Sequence, residues 1–160
     1  MSEPNFRIVL VEPEIPQNTG NIGRTCVGAG AELHLVGKLG FEISDRHLRR
    51  AGLDYWQHLT WYHHASFEDW MSCVSDPNRV HYFSAKAKRS LFQVKFQRGD
   101  WLVFGKETKG LDPDLLRRNE DRTVLIPQYG PIRGFNLATA VAIGGFEGLR
   151  QLGESNALSC

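Results

Sequence analysis

With 160 residues, of which 41% are hydrophobic and 23% charged, the chain fits one globular domain, and a domain of this size buries roughly two-thirds of the surface its unfolded chain exposes. The formal net charge of +1 excludes a uniformly basic surface, so any contact with nucleic acid must come from local patches. Cys26, Cys73 and Cys160 lie far apart, and the six histidines, His63 and His64 included, show no ligand spacing. That composition predicts a reduced, metal-free, cytosolic protein. No stretch has the layout of a signal peptide or the length of a membrane span, which predicts no membrane association.

Phe6 to Val11 is an apolar, β-branched run closed by Pro13 and Pro16, the pattern of a buried strand followed by a loop. A helix is predicted from about Asn18 to Ala29. Further strands are expected at Leu33–Val36, Val80–Ser84, Trp101–Gly105 and Val124–Pro127, and helices at Asp45–Arg50, Phe67–Val74 and Pro113–Arg118. Strands alternating with helices imply a parallel α/β sheet. Nothing divides the chain, so a single domain over residues 1–160 is expected, with a core of about 6–153 and a loose tail. Ordinary topology rules would leave it unknotted.

The last helix, predicted from Asn136 to Leu152, is apolar around most of its circumference yet contains Gly144, Gly145 and Gly148. Each interior helical glycine costs about 1 kcal/mol relative to alanine. Close packing must offset that cost, either from a second backbone at a dimer interface or from the chain's own sheet.

Three segments put Gly or Asn at a strand end or helix start: Asn18-Thr19-Gly20-Asn21-Ile22-Gly23-Arg24, Phe104-Gly105-Lys106-Glu107-Thr108-Lys109-Gly110, and Ile126-Pro127 with Arg133-Gly134-Phe135-Asn136-Leu137. Glycine permits close approach of backbone, and Arg24, Glu107 and Asn136 add a cation, an anion and an amide. Gly110 is followed by Leu111 and Asp112, so the second segment is no phosphate-binding P-loop. Gly20, Gly23, Gly28 and Gly30 likewise do not make a dinucleotide fingerprint.

In this order the three segments resemble the motifs of the SPOUT class of S-adenosylmethionine-dependent RNA methyltransferases, in its SpoU-like branch. The blocks Glu12–Asn21, Leu48–Tyr55 and Gln93–Phe96 are similar to the small TrmL (YibK) subfamily, which methylates the ribose 2′-oxygen of the wobble nucleotide in tRNA. The resemblance runs from about Ile8 to Gly153. It implies a SPOUT α/β-knot fold, a parallel sheet flanked by helices with a C-terminal trefoil knot. It also implies a homodimer, S-adenosylmethionine as methyl donor, and the anticodon stem-loop of tRNA as partner, with leucine tRNAs expected.

Residue by residue, the resemblance assigns cofactor contacts to Phe83, Gly105, Glu107, Ile126 and Gly134, with Leu125 and Leu137 as apolar walls. Arg24, Asn18, Glu107 and Asn136 are the catalytic candidates. Arg24 is expected to hold ribose and phosphate, since a guanidinium donates from a fixed fork but accepts no proton at neutral pH. Asn136 also fits the N-cap of the last helix. Gly134 and Ala138 stand where the family usually has Ser, and Phe146 where close relatives have Tyr. Lys86, Lys88, Arg89, Lys95 and Arg98, interleaved with Phe92 and Phe96, form a basic and aromatic stretch suited to RNA. Arg46, Arg49 and Arg50 form a second patch. A SPOUT-fold RNA-binding factor without activity, or a methyltransferase of another ribose, remains open at this point.

Overall fold

The computed structural model describes residues 3–44, 46 and 55–153. They form a six-stranded, wholly parallel sheet in the order β3-β2-β1-β5-β4-β6. In chain order the strands are β1 (Phe6–Val11), β2 (Glu32–Val36), β3 (Trp61–His64), β4 (Val80–Phe83), β5 (Asp100–Phe104) and β6 (Thr123–Val124). The helices are α1 (Pro16–Ala29), α2 (Phe67–Met71), α3 (Pro113–Arg118) and α4 (Leu137–Leu152).

The side-chain period of two sends alternate strand residues to opposite faces. Ile8, Leu10, Leu33, Leu35, Leu102 and Phe104 pack with Ile22 and Cys26 of α1 and Val141 of α4. Val9, Val36, Tyr82, Trp101 and Val103 pack with Trp70 of α2 and Leu115 of α3 on the other face. Both faces are therefore covered, which is why the central strands read as continuous apolar runs.

Several expectations change in detail. β3 was not predicted, because Trp-Tyr-His-His on a half-exposed edge lacks both aliphatic residues and a clean alternation. α1 starts at Pro16 rather than Asn18, since proline's fixed φ and missing N–H suit the first helical turn. α2 stops at Met71 rather than Val74. β6 ends at Val124 because the chain then changes partner. Ser84 N–H donates to Val124 O at 3.0 Å, while Leu125 N–H donates to Arg89 O and Leu91 N–H to Leu125 O, both at 2.8 Å. Residues 124–125 are thus held between the end of β4 and the 89–91 segment, with the intervening chain arching from one side to the other.

Of the two explanations for the glycines of α4, packing on the chain's own sheet accounts for Gly144 and Gly148. A Cβ at Gly144 would stand 2.8 Å from the Phe83 ring, and one at Gly148 would stand 2.5 Å from the Phe6 ring. At these two positions the helix lies directly on aromatic rings of its own sheet. Gly145 has nothing within 4 Å of such a Cβ.

The predicted Asp45–Arg50 helix, with Arg49 and Arg50, and the Leu48–Tyr55 block lie outside the described residues except for Arg46 and Tyr55. So does the tail after Gly153. Among the described residues no helix is long and apolar enough to cross a membrane.

Candidate active site

The loops at the carboxyl ends of β1, β4, β5 and β6 enclose a cleft of about 530 Å³, within the usual range for small-molecule sites. Ligands of open α/β sheets bind at this end. Asn18, Phe83, Gly105, Glu107, Ile126, Gly134, Asn136 and Leu137 all line it. Arg133 of the third segment lines it as well, as do Ser84, Ala85 and Gln128, which sequence reasoning did not single out. Their signal was position alone, directly after β4 and between Ile126 and Asn136.

Leu125, expected as an apolar wall, is not part of the lining; its backbone is engaged by the 89–91 segment. Arg24 is exposed on α1, where its guanidinium lies 5.9 Å from the centre of the Tyr55 ring. Six residues beyond Asn18, it stands about 9 Å further along the helix, and it does not line the cleft of its own chain. Gly23 serves packing, since a Cβ there would meet Leu59 at 3.1 Å and Trp56 at 3.5 Å.

A hydrogen-bonded relay joins the three motifs. Asn18 Nδ2 donates to Glu107 Oε2 at 3.1 Å, and Asn136 Nδ2 donates to Asn18 Oδ1 at 3.2 Å. Asn136 Oδ1 accepts from Ala138 N–H at 2.9 Å and Thr139 N–H at 3.3 Å, capping α4. The two ends fix the amide orientations: a carboxylate at one end only accepts, and backbone N–H groups at the other only donate. Asn136 therefore acts as helix cap and as motif residue at once.

Glu107 is committed to this organisation. Besides Asn18, its carboxylate accepts from Glu14 N–H at 2.8 Å and Ile15 N–H at 3.0 Å. Ile15, at the N-cap of α1, has no side-chain oxygen to offer the helix start, so a carboxylate from another loop satisfies donors there and lies favourably at the helix N-terminus. Glu14, which sequence reasoning did not select, reciprocates. Its Oε1 accepts from Thr108 N–H at 3.0 Å and Thr108 Oγ1 at 2.8 Å. Those two bonds, amide first, hold the Glu14 carboxyl below its ordinary value.

Gly105 permits a close approach, though the approaching backbone is that of its own loop. A Cβ there would stand 2.1 Å from the Gly110 carbonyl carbon and 2.2 Å from Leu111 N. Lys106 O accepts from Gly110 N–H at 2.9 Å, and Gly110 takes φ 70°. The tight loop forms the cleft wall, so its turn-forming and lining roles are one feature.

The cleft is lined by Lys86, Lys106, Lys109 and Arg133 against the single carboxylate of Glu107. Lys106 also pairs with Glu12 at 3.4 Å. A cationic rim suits a polyanion such as RNA. In the basic stretch Phe92 is 67% exposed and available for stacking, whereas Phe96 is 6% exposed and belongs to the core. Arg98 donates to Asn5 Oδ1, and Arg89 Nε donates to Thr123 O at 3.1 Å. Lys86, Lys88 and Lys95 are exposed.

The model of the SpoU rRNA Methylase family matches residues 5–146. The chain belongs to that family. It is 42% identical over 151 residues to the tRNA (cytidine(34)-2′-O)-methyltransferase of Burkholderia cenocepacia (strain HI2424), a match covering 92% of this chain and 96% of the relative. Identity to the protein of the same name from Saccharophagus degradans (strain 2-40 / ATCC 43961 / DSM 17024) is 42% over 149 residues, covering 92% of this chain and 96% of that one. A solved structure described as giving structural insights into the 2-OH methylation of C/U34 on tRNA superposes with a TM-score of 0.88 at 44% identity, covering 93% of this chain and 97% of that one. The AdoMet-bound rRNA methyltransferase from Sinorhizobium meliloti superposes at 0.81 with 26% identity over 94% of this chain and 58% of its own.

Proposed function

We propose that this chain is a tRNA 2′-O-methyltransferase acting on the ribose of the wobble pyrimidine, C34 or U34, with S-adenosylmethionine as methyl donor and leucine tRNAs as substrates. The observation that carries the reading is the relay from Glu107 through Asn18 to Asn136, which ties all three family motifs to one cleft of cofactor size. Relatives at 42–44% identity along nearly the whole chain supply the substrate position.

The cleft fits the cofactor. Its wall carries the tight Gly105–Gly110 loop, Gly134 and the apolar groups of Phe83, Ile126 and Leu137, which suit an adenosyl group held by backbone and apolar contact. When bound, S-adenosylmethionine supplies a methyl group on positive sulfur for in-line displacement by the ribose oxygen. The protein holds the reactants in line and steadies charge on that oxygen. Lys86, Lys109 and Arg133 at the rim engage substrate phosphates.

Arg24 lies off its own cleft, so its role on ribose and phosphate requires RNA reaching the α1 face or a cleft completed across a dimer. The reading includes that homodimer, with the 53% exposed Phe146 of α4 among its contacts. It also includes a C-terminal knot built on the crossing at residues 124–125, and residence in the cytoplasm.

The test is mass spectrometry of tRNA from cells lacking the protein. The 2′-O-methyl group at the wobble nucleotide of leucine tRNAs should disappear, returning with the wild-type chain but not with Arg24→Ala. If another RNA loses its methyl group instead, the substrate assignment fails. In purified protein, Arg24→Ala should lower turnover and leave cofactor affinity nearly unchanged.

A further inference from the structure

We propose that Glu14 is a positioning residue, which holds the loop of residues 105–110 against the β1–α1 turn in the conformation that binds cofactor. The inference rests on the reading of the cleft as the cofactor site. It adds a residue that lies outside the lining and acts through Thr108.

The geometry is reciprocal. Glu107 takes backbone donors from Glu14 and Ile15 on the turn, and Glu14 takes the amide and hydroxyl of Thr108 on the loop. Each carboxylate therefore closes the partner segment, much as the two halves of a capping box satisfy each other's amides. Two anchors in opposite directions fix both the separation and the slide of the segments, whereas Glu107 alone would leave the outer half of the loop free. The pair Lys106–Glu12 adds a third point at 3.4 Å.

The turn is held from behind as well. Gly40 N–H donates to Pro13 O at 2.9 Å, and Glu12 N–H donates to Val36 O at 2.8 Å. A Cβ at Gly40 would stand 2.8 Å from the Glu14 Cα, so the segment after β2 presses directly on the turn. Glu12 takes φ 51°, the only non-glycine positive φ among the described residues. Strained backbone of this kind persists where surrounding contacts over-determine it. The turn is thus a fixed abutment, and Thr108 is the movable partner: it is exposed, in a loop otherwise held by the Lys106–Gly110 bond, the Lys106–Glu12 pair and the Glu107 anchor. Tethering Thr108 reduces the loop ordering that cofactor binding would otherwise require, an effect on affinity more than on turnover.

Three variants of the full chain test this: Glu14→Ala, Glu14→Gln and Thr108→Val. Their readouts are amide exchange at Thr108 without cofactor, calorimetry with S-adenosylmethionine, and kinetics varying each substrate. Glu14→Ala should speed Thr108 exchange and raise both Kd and KM for cofactor about tenfold, since two bonds to a charged acceptor are lost. Its kcat at saturating cofactor and its KM for tRNA should stay within about twofold of wild type, because the reacting groups are untouched. Glu14→Gln keeps an accepting oxygen and should recover most of the loss. Thr108→Val keeps the amide bond and should cost about threefold, and combined with Glu14→Ala it should add nothing further. Unchanged Thr108 exchange in Glu14→Ala overturns the proposal. So does cofactor affinity within twofold of wild type, or a parallel fall in kcat, tRNA affinity and melting temperature. A wild-type protein that binds no cofactor would instead remove the reading of the cleft, while Thr108 exchange still judges the tether.

Discussion

β5 begins at Asp100 and ends at Phe104, and a carboxylate organises hydrogen bonds at each end, with opposite results. At the amino end Asp100 is 1% exposed. It accepts from Arg79, from His81 Nε2 at 2.9 Å and from Gln97 N–H at 2.9 Å, and the His81 ring packs against that of Phe96. At the carboxyl end Glu107 accepts from one side chain and two amides, but the groups it organises stand around an open, cationic cleft. One network closes the sheet and the other shapes a space. Burial makes the first a matter of stability, and exposure leaves the second free to meet a ligand.

The largest expected effect lies at the open end. Gly105→Val should abolish measurable cofactor binding, because its Cβ would fall 2.1 Å from the Gly110 carbonyl carbon, closer than any real contact. Gly105→Ala sharpens the claim. The collision already occurs at Cβ, so alanine should lose more than about tenfold in affinity, overpacking of this kind costing about 1–3 kcal/mol or more. Calorimetry is the measurement, and an alanine variant that binds like wild type would show that the loop relaxes freely.

At the closed end, Asp100→Ala should cost about 3 kcal/mol of folding stability, since it strands His81, Gln97 N–H and a partly buried Arg79. Cofactor affinity should stay within about twofold. Denaturant melts together with calorimetry separate the two effects, and a variant that loses affinity in proportion to stability would erase the distinction between the ends.

Acid sharpens the comparison further, because the sheet also buries His34. Its ring stacks on His64 and Tyr62 and meets Trp101 edge-on, with Nδ1 2.9 Å from His64 Nε2 and Nε2 3.1 Å from Glu32 Oε1. Burial holds the His34 imidazole down to about 4, despite the opposing hydrogen bond to Glu32. The unfolded chain takes up a proton near pH 6.5 that the folded chain refuses until about pH 4. This contribution to stability is therefore full above pH 6.5 and falls by about 3 kcal/mol as pH drops to 4.

Asp100 acts lower. Burial alone would raise its carboxyl, but the bonds from His81, Gln97 N–H and Arg79 outweigh that and hold it below its ordinary value. Its share of stability is present above the unfolded carboxylate range and is lost as pH falls through the lower folded value. Denaturant melts against pH should show the upper step missing in His34→Gln and the lower step missing in Asp100→Ala.

The contrast also explains what the sequence made legible. β1, β2, β4 and β5 announce themselves because both faces are buried and most of their residues are apolar. Asp100, by contrast, looks like any polar residue at a strand start, and His81 and Arg79 become its partners only through the sheet order that sets β4 beside β5. The glycine and asparagine motifs pointed to most of the cleft, because backbone close approach and capping leave local signatures. Glu14 and the bonds that Glu107 makes to Asn18 and to the Glu14 and Ile15 amides stayed hidden, since they join residues about 90 positions apart. Arg24 carries a motif signature, but its distance from its own cleft depends on which face of α1 turns outward, which spacing alone did not fix.

Gly134 marks the smallest expected effect and bears on how much of the open end depends on side chains at all. A Cβ at this position would meet Ala85 Cβ at 3.9 Å and Gln128 Nε2 at 4.0 Å, both ordinary contacts, and Gly134 is not among the positive-φ residues. Gly134→Ser therefore adds a hydroxyl to the cleft wall without strain, and folding stability should change by no more than about 0.5 kcal/mol. If backbone and apolar groups hold the adenosyl part, as the tight Gly105–Gly110 loop and the Phe83, Ile126 and Leu137 lining favour, cofactor affinity should move by less than about threefold, the scale of one exposed hydrogen bond. A tenfold gain would mean that the cleft lacks a donor its geometry can use, and a tenfold loss that the space beside Gly134 is filled by the ligand. Calorimetry on Gly134→Ser and Gly134→Ala separates these outcomes, because alanine tests the space and serine alone tests the hydroxyl.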